Sequence, residues 1–458
     1  MTVKQLKASI LQLAISGNLV PQDPNDELAS VLLERITVER ERLVAEKKIK
    51  KLRPLPPITD DEKPFAIPDS WEWVRLGMIA NVITGATPSK SNASLYGFGY
   101  KFFKPSDLDA GYNVLSASDS LSEAGWRVCR QLPKDSILVT CIGATIGKTG
   151  LIRDVGTCNQ QINAVVPVMV LSEYIYFAIM SDWFQSKMRS IAGKTTLPIL
   201  NKQSFQQMII PLPPLAEQKR IVEKVEALFK YVDDCEDCRK ELAERLAANL
   251  NKSILQEAIQ GRLVPQDSND ESARELLKRI ESAKGTKKSK PLPPIDEKEI
   301  QFAIPDSWEW VRLGDVCEFK KEDVVRDVRL PLLDARYLRG KSNATIMKEG
   351  RRIVAGTYML LVDGENSGEM FKVCEDGYLG STFKSLQISD VIFSEYLALF
   401  IAKHKEALKG QKRGAAIPHL DRKIFFNLPV PLPPLAEQKR IVEKVEALFK
   451  RVDEMKEV

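Results

Sequence analysis

Apolar residues recur at intervals of three and four positions through the middle of the chain. This spacing predicts one long, coiled-coil-like helix that begins after Pro214 and ends before Gly261. A single apolar stripe on so long a helix requires a partner, so we expect a helical pair. Its core is expected to consist of Ile221, Val225, Leu228, Val232, Leu242 and Leu246.

The regions on either side of this helix mix strand and helix patterns. Residues 136–152 and 357–373 each predict a strand, a glycine-containing turn and a second strand. Helical periodicity is found at 172–188 and 394–410, and in shorter segments at 27–48 and 271–283. Charged connectors that contain PLPP, at 47–64 and 284–299, predict extended, semi-rigid spacers.

Internal repeats organise the whole chain. The segment PLPPLAEQKRIVEKVEALFK is identical at 211–230 and 431–450, and FAIPDSWEWVRLG occurs at both 65–77 and 302–314. The blocks between these copies diverge in sequence and in length. Near-identical flanks around two different blocks indicate a scaffold that carries two different recognition surfaces. A tandem duplication whose surface blocks drifted apart is the alternative.

The repeat is also circularly permuted. The first half of the central copy matches the C-terminus of the chain, and the second half, from 253–271, matches 9–27 near the N-terminus. The two ends of the chain are therefore expected to rebuild one helix jointly, antiparallel to the central helix and related to it by a pseudo-two-fold axis. We expect this order of segments: N-terminal helices and linker 1–64, first recognition domain 65–214, central helix, short helix and linker 215–301, second recognition domain 302–434, C-terminal helix 435–458.

Composition narrows the possible functions. The 458 residues are 44% hydrophobic and 28% charged, as in globular chains of more than one domain. The N-terminus lacks the pattern of an export signal, and seven cysteines without framework spacing suit a reducing cytoplasm. Only two histidines are present, His404 and His419, which argues against chemistry that needs several imidazoles. We find no convincing pairing of a nucleophile with a base.

A modest basic surplus lies in the two divergent blocks. Residues 78–205 hold 12 Lys or Arg against 8 Asp or Glu, and residues 315–425 hold 19 against 16. Such a surplus is expected where a domain touches a polyanion, although solvated surfaces explain it equally well. The candidate DNA contacts in the first block are Lys90, Lys101, Lys104, Arg127, Lys148, Asn159, Gln160, Lys187, Arg189 and Lys194. Those in the second are Arg326, Arg329, Arg336, Arg339, Lys341, Arg351, Arg352, Lys409, Lys412 and Arg413.

Several motifs are better explained by structure than by chemistry. GATIGKT at 143–149 has one residue too few between its glycines for a phosphate-binding loop, so a tight turn is favoured. Cys235 and Cys238 form a CxxC without a second ligand pair, and Cys235 falls on the predicted helical seam. Tyr96, Tyr100 and Phe102 alternate with basic residues and are possible base-stacking groups.

The combined pattern resembles one family, the DNA-specificity subunits of type I restriction–modification systems. The resemblance spans essentially the entire chain. It is carried by IPDSWEWVRLG at 67–77 and 304–314, by GATIGKT, and by the PLPPLAEQKRIVEKVEALF segments. The second block departs from it, with GENSGEM in place of GATIGKT.

The resemblance implies an α+β fold with two α/β target recognition domains separated by a long antiparallel helical pair. Each domain would read one half of a bipartite sequence in double-stranded DNA, and the helices would set the spacing and dock two modification (methyltransferase) subunits. S-adenosylmethionine would belong to those partners, ATP and magnesium to restriction subunits, and no catalysis, metal or cofactor to this chain. Two alternatives remain open: a structural or protein-recognition scaffold with two variable heads, and the recognition part of another restriction–modification enzyme.

Overall fold

The computed structural model describes residues 1–193, 198–284, 292–364, 366–410 and 419–456. The chain divides into two compact units, Met1–Cys238 and Arg239–Val458. The finer division into five segments stays a prediction. Within the described residues, none of the helices combines the length and the apolar character required to cross a bilayer.

The first unit contains mixed helices and strands. In chain order they are α1 Val3–Ile15, α2 Ala29–Ala45, β1 Glu72–Arg75, α3 Leu76–Ile79, β2 Ala80–Thr84, β3 Tyr96–Phe103, β4 Asp119–Leu121, α4 Glu123–Val128, β5 Ile137–Thr140, β6 Thr149–Leu151, β7 Gly156–Cys158, β8 Ile162–Pro167, α5 Ser172–Met180, α6 Asp182–Ala192, α7 Lys202–Gln207 and β9 Ile209–Leu212. The long helix α8, Leu215–Ile259, begins in this unit and ends in the second.

The second unit repeats the order with altered lengths. Its elements are α9 Ala273–Lys284, β10 Glu309–Arg312, α10 Leu313–Val316, β11 Cys317–Lys320, β12 Val324–Leu333, α11 Ala335–Leu338, β13 Ile346–Ile353, β14 Tyr358–Leu361, β15 Met370–Lys372, β16 Gly377–Leu379, β17 Phe383–Ile388, α12 Ser394–Gly410, α13 Arg422–Asn427, β18 Pro429–Leu432 and α14 Leu435–Lys456. The predicted fold class, two mixed domains and a long helix, is confirmed.

Each unit contains the same three sheets. The first unit has a β1–β9 pair, a four-stranded antiparallel sheet in the order β2-β8-β5-β6, and an outer sheet in the order β4-β3-β7. The second has a β10–β18 pair, a four-stranded sheet β11-β17-β14-β15, and an outer group in which β12, β13 and β16 close on one another. The central strands β5 and β14 are buried along their whole length, so these four-stranded sheets form the domain cores.

Local sequence explains where several helices start and break. Thr2 and Gln5 form a capping box at the start of α1, which satisfies backbone N–H groups that the first turn leaves unpaired. The apolar run predicted as one helix at 172–188 is instead two helices, because Ser181 interrupts it. The Ser181 side chain accepts from the backbone of Phe184 and caps α6.

In the first unit, α1 packs antiparallel to the start of α8. The ammonium of Lys7 on α1 lies 2.7 Å from the carboxylate of Asp233. The amide of Gln22, which follows α1, donates to Glu217, which precedes Asp233 on α8, at 2.6 Å. The order of contacts along the two segments is therefore reversed. Four of the predicted core residues lie in this core. Ile221 and Val225 are fully buried, and Leu228 and Val232 pack against them and their neighbours.

In the second unit, α14 packs against the end of α8. Ile441, Val442 and Val445 share a buried cluster with Ala258, which Ile254 flanks. Each unit therefore supplies a partner for its own part of the central helix, as the single apolar stripe requires.

The predicted core is wrong at Leu242 and Leu246. Their side chains are 66% and 47% exposed, while Ala247 is only 4% exposed. One residue rotates a helix position by about 100° and five residues by about 140°, so neither Leu246 nor Leu242 shares the buried face of Ala247. Cys235, also predicted on the seam, is exposed.

The PLPP connectors, predicted as semi-rigid spacers, are also bonded to their domains. The carbonyl oxygens of Pro56 and Pro57 accept hydrogen bonds of 3.2 and 2.9 Å from Arg75. Arg312 makes the same bonds to Pro293 and Pro294, at 3.0 and 2.7 Å. Of the second connector, residues 285–291 lie outside the described part of the chain.

Candidate DNA-recognition surface

Entry and exit strands lie side by side at the foot of each divergent block. Trp73 on β1 is paired with Pro211 on β9, and Trp310 on β10 is paired with Pro431 on β18. Because both ends of a block meet in one short sheet, the block projects from the scaffold as a domain. The repeated sequence motifs thus build the foot, and the surface beyond it is free to differ.

Each foot is joined to the long helices by a buried carboxylate. In the first unit, both oxygens of Glu217 are bonded, one by the Trp71 indole at 2.9 Å and the other by the Gln22 amide at 2.6 Å. In the second unit, Trp308 and Gln266 bond Glu437 in the same way. Burial raises the pKa of Glu217 and of Glu437, although the donors oppose that shift.

A buried arginine fastens each connector to the foot of its domain. The guanidinium of Arg75 bonds two proline carbonyls, both oxygens of Glu62 at 2.7 Å and the carbonyl of Gln207 at 2.7 Å. The hydrogen bonds from Arg75 lower the pKa of Glu62 to about 2. Arg312 lowers the pKa of Glu299 to about 2 through an equivalent ion pair. The planar guanidinium of arginine, with five N–H donors, suits this site, because a lysine ammonium would satisfy fewer acceptors.

Several basic candidates in the first domain are paired with carboxylates. Lys101 lies 2.8 Å from Asp154, Lys148 lies 2.6 Å from Asp109, and Arg127 lies 2.5 Å from Glu123. Lys104 is ion-paired with Asp119. These cations must exchange partners before they bind phosphate, which weakens their case as primary DNA contacts.

Other candidates in this domain differ in their surroundings. Lys90 is exposed, and so are Lys187 and Arg189 on α6. Lys187 lines a cavity at the foot, beside Arg75 and Trp183. The Asn159 amide bonds Gln161 at 3.0 Å, and Gln160 is exposed and accepts from Thr87, so Gln160 is the more accessible amide.

In the second domain, the ribbon of β12 and β13 gathers the largest group of candidates. Arg326, Arg329, Arg351 and Arg352 lie on its two strands and are exposed. Arg352 is paired with Asp376 at 2.8 Å, and Arg326 is loosely paired with Glu349 at 3.6 Å. Arg336 on α11 and Lys341 after it are exposed, whereas Arg339 is ion-paired with Glu369. Lys194, Lys412, Arg413 and the side chain of Lys409 lie outside the described residues.

Among the aromatic residues, sequence reasoning chose some of the wrong ones. Phe102 is buried in a core cluster, and Tyr100 is stacked on Trp126 with ring centroids 4.5 Å apart. Phe98 was overlooked, yet it is fully exposed. Its flanking glycines, in the sequence GFG, are the signal that could have found it, since glycine permits a strand to open locally.

The glycine turn fits a structural interpretation, whereas Cys235 does not lie in a helix core. Residues 143–149 turn between β5 and β6, with Gly143 and Gly147 at φ of 97° and 92°, where a Cβ is strained. Cys235 and Cys238 are exposed on α8. Within the described residues, no group of three or more His, Cys, Asp or Glu is placed to hold a metal ion.

Comparison with known proteins identifies the class. Residues 68–245 and 305–457 match the family described as "Type I restriction modification DNA specificity domain". The chain is 28% identical to the type I restriction enzyme EcoAI specificity subunit of Escherichia coli, covering 99% of this chain and 90% of that protein. It is 29% identical to the EcoEI specificity subunit of Escherichia coli, with the same coverage.

The chain also aligns with a solved structure. The HsdS subunit from Thermoanaerobacter tengcongensis is 20% identical, with a TM-score of 0.39, and the alignment covers 86% of this chain and 93% of that one. The first family match lies almost entirely in the first unit and the second lies within the second unit, and together they cover most of the chain. This protein therefore belongs to the type I restriction–modification DNA specificity family.

Proposed function

We propose that this chain is the sequence-recognition subunit of a type I restriction–modification complex. Each divergent domain reads one half of a bipartite DNA site, and the helices dock two modification subunits and set the gap. The observation that carries this proposal is an identical foot beneath two differently surfaced domains. Trp71–Glu217 and Arg75–Glu62 recur as Trp308–Glu437 and Arg312–Glu299.

Catalysis is assigned to the partner subunits in this proposal. Modification subunits would use S-adenosylmethionine to methylate adenine, and restriction subunits would use ATP and magnesium for translocation and cleavage. This chain supplies recognition and geometry, and we propose that it acts in the cytoplasm, where the host DNA is found.

Two experiments test this function. Single-molecule sequencing of adenine methylation in the host genome should reveal a bipartite motif that disappears when this gene is deleted. A DNA shift assay with the modification subunits present should show selective binding of that motif and a loss of affinity with rising salt. Methylation that persists after deletion, or equal binding to all sequences, would contradict the proposal.

A further inference from the structure

The parallel strand pairs in the outer sheets of the two domains share one register. Phe102 pairs with Thr157, the second residue of β7, and Leu332 pairs with Tyr378, the second residue of β16. Both pairings are parallel, and each long strand also has an antiparallel partner, β4 or β13. Counting back four residues from Phe102 and from Leu332 makes Phe98 equivalent to Val328.

At these equivalent positions, both strands leave the regular ladder for three residues. Tyr96 and Tyr100 both oppose Leu121, so Gly97–Phe98–Gly99 leaves the ladder; we call it the first bulge. In the second domain Arg326 opposes Glu349, and the next pair is Leu330 with Met347. Asp327–Val328–Arg329 therefore lie opposite Lys348 alone and form the second bulge, at the same place in the fold. A bulge re-aims side chains away from the ladder and is a common device beside functional sites.

Both bulges are fastened from beneath by a side-chain hydroxyl. The Ser120 hydroxyl donates to the carbonyl of Gly97 at 2.6 Å, and the Tyr378 hydroxyl donates to the carbonyl of Val328 at 2.7 Å. Tyr378 is buried, which fixes the position of its hydroxyl. Asp327 adopts a φ of 62°, a conformation that Asp tolerates better than most residues. The bulges are therefore held, and their side chains are presented in a set position.

The two bulges present different chemistry. The first exposes the phenyl ring of Phe98 between two glycines, while the second exposes Val328 and the guanidinium of Arg329. Among the described residues, no carboxylate forms an ion pair with Arg329, which leaves its five donors available to a ligand. A shared backbone feature with exchanged side chains is what a specificity-determining position requires.

We propose that each bulge reads base edges in the half-site of its own domain. This inference rests on the proposed function and names the residues that perform it. A two-stranded ribbon fits the major groove, where arginine bonds the O6 and N7 of guanine and an apolar side chain contacts the methyl group of thymine. Arg329 accordingly selects a guanine in one half-site, and Phe98 selects a thymine in the other. Ser120 and Tyr378 are positioning residues.

The test measures binding to single-base variants of the target by the complex with its modification subunits. Arg329→Gln should lower discrimination at one base pair of one half-site by roughly 5- to 150-fold, with the other half unchanged. Phe98→Ala should relax one position of the opposite half. Tyr378→Phe should weaken discrimination at the same base as Arg329→Gln. The matched controls are Arg279→Gln on α9 and Val38→Ala on α2, both exposed, and they should leave discrimination unchanged.

Binding by the wild-type complex is measured first. If the wild-type complex binds all sequences equally, the proposed function itself is contradicted. If it binds selectively, the variants test the bulges. If Arg329→Gln lowers affinity equally for all sequences, the residue contacts phosphate only and the inference is wrong. Unchanged discrimination in Arg329→Gln and Phe98→Ala would overturn it as well. Circular dichroism of every variant confirms folding, and p-benzoylphenylalanine at position 98 must crosslink to target DNA.

Discussion

The indole of Trp71 donates a 2.9 Å hydrogen bond to Glu217, although 146 residues separate the two positions. Trp308 and Glu437 make the same 2.9 Å bond in the second unit. In each case the bond joins the entry of a recognition domain to the first turn of a long helix. A side chain at that point holds the two parts of the unit in a fixed relation.

Removal of this carboxylate should therefore destabilise its unit. Glu217→Ala leaves the Trp71 indole and the Gln22 amide without their acceptor, so we expect a loss of about 1–3 kcal/mol in the free energy of unfolding. Urea denaturation followed by tryptophan fluorescence measures the change. Glu217→Gln keeps an oxygen for Trp71 and should cost less. An unfolding curve for Glu217→Ala that overlays the wild type would contradict this role.

Acid should weaken the clamp between Arg75 and Glu62. The pKa of Glu62 is lowered from 4.5 to about 2, so its stabilising contribution is complete above pH 4.5 and is lost as the pH falls toward 2. Glu217 acts in the opposite sense, since its pKa is raised and its contribution, complete below pH 4.5, declines as the pH rises above that value. Thermal unfolding measured from about pH 5 to about pH 3 should show a shallower loss for Glu62→Gln than for wild type. Asp61→Asn, which removes an exposed neighbouring carboxylate, is the control, and an equal slope in all three proteins would refute the assignment.

The two classes of apolar position on α8 should respond differently to truncation. Ile221→Ala removes a fully buried side chain and should cost about 2–5 kcal/mol of stability. Leu242→Ala removes an exposed one and should change stability by less than about 0.5 kcal/mol. Denaturant unfolding of the two variants measures this difference. Comparable losses of stability would show that Leu242 is packed in the core.

Leu242 also shows where a prediction from hydrophobic periodicity alone fails. Steps of three and four identified the buried face correctly at Ile221 and Val225, where large apolar residues lie on one side only. Further along α8, leucines and alanines are adjacent, and hydropathy favours the leucines. The structure instead buries Ala247 and exposes Leu246, so the covered side of the helix does not follow from the size of its apolar residues.

The repeats predicted most of the framework, because identical segments must make identical local contacts. They did not predict the docking of the PLPP connectors, which depends on hydrogen bonds that Arg75 donates to the carbonyls of Pro56, Pro57 and Gln207. The bulge at Phe98 was missed for a related reason. It is defined by a missing pairing partner on β4, and strand register is a long-range property.

The divergent blocks should be exchangeable as units of specificity. Replacing residues 78–205 with the corresponding block of a related protein should change one half of the methylated motif and leave the other half intact. The physical reason is that the foot contacts, such as Trp71 with Glu217, lie outside the exchanged block. Methylation sequencing of cells that carry the hybrid provides the measurement, and the reciprocal exchange of 315–425 is its control. A change in both halves would show that the domains do not read independently.

The gap between half-sites should depend on the helices. The helix α8 continues from Leu215 to Ile259, and four added residues lengthen a helix by about 6 Å, close to two base pairs of DNA. Four residues inserted after Cys238, with a matching extension at the C-terminus, should leave both half-site sequences unchanged. The gap should grow by about one or two base pairs, since helix tilt shortens the projected distance. Four residues inserted after Lys51, in the exposed segment that follows α2, should leave the gap as it is. Methylation mapping reads out both variants, and an original spacing in the extended-helix variant would show that the helices are not the ruler.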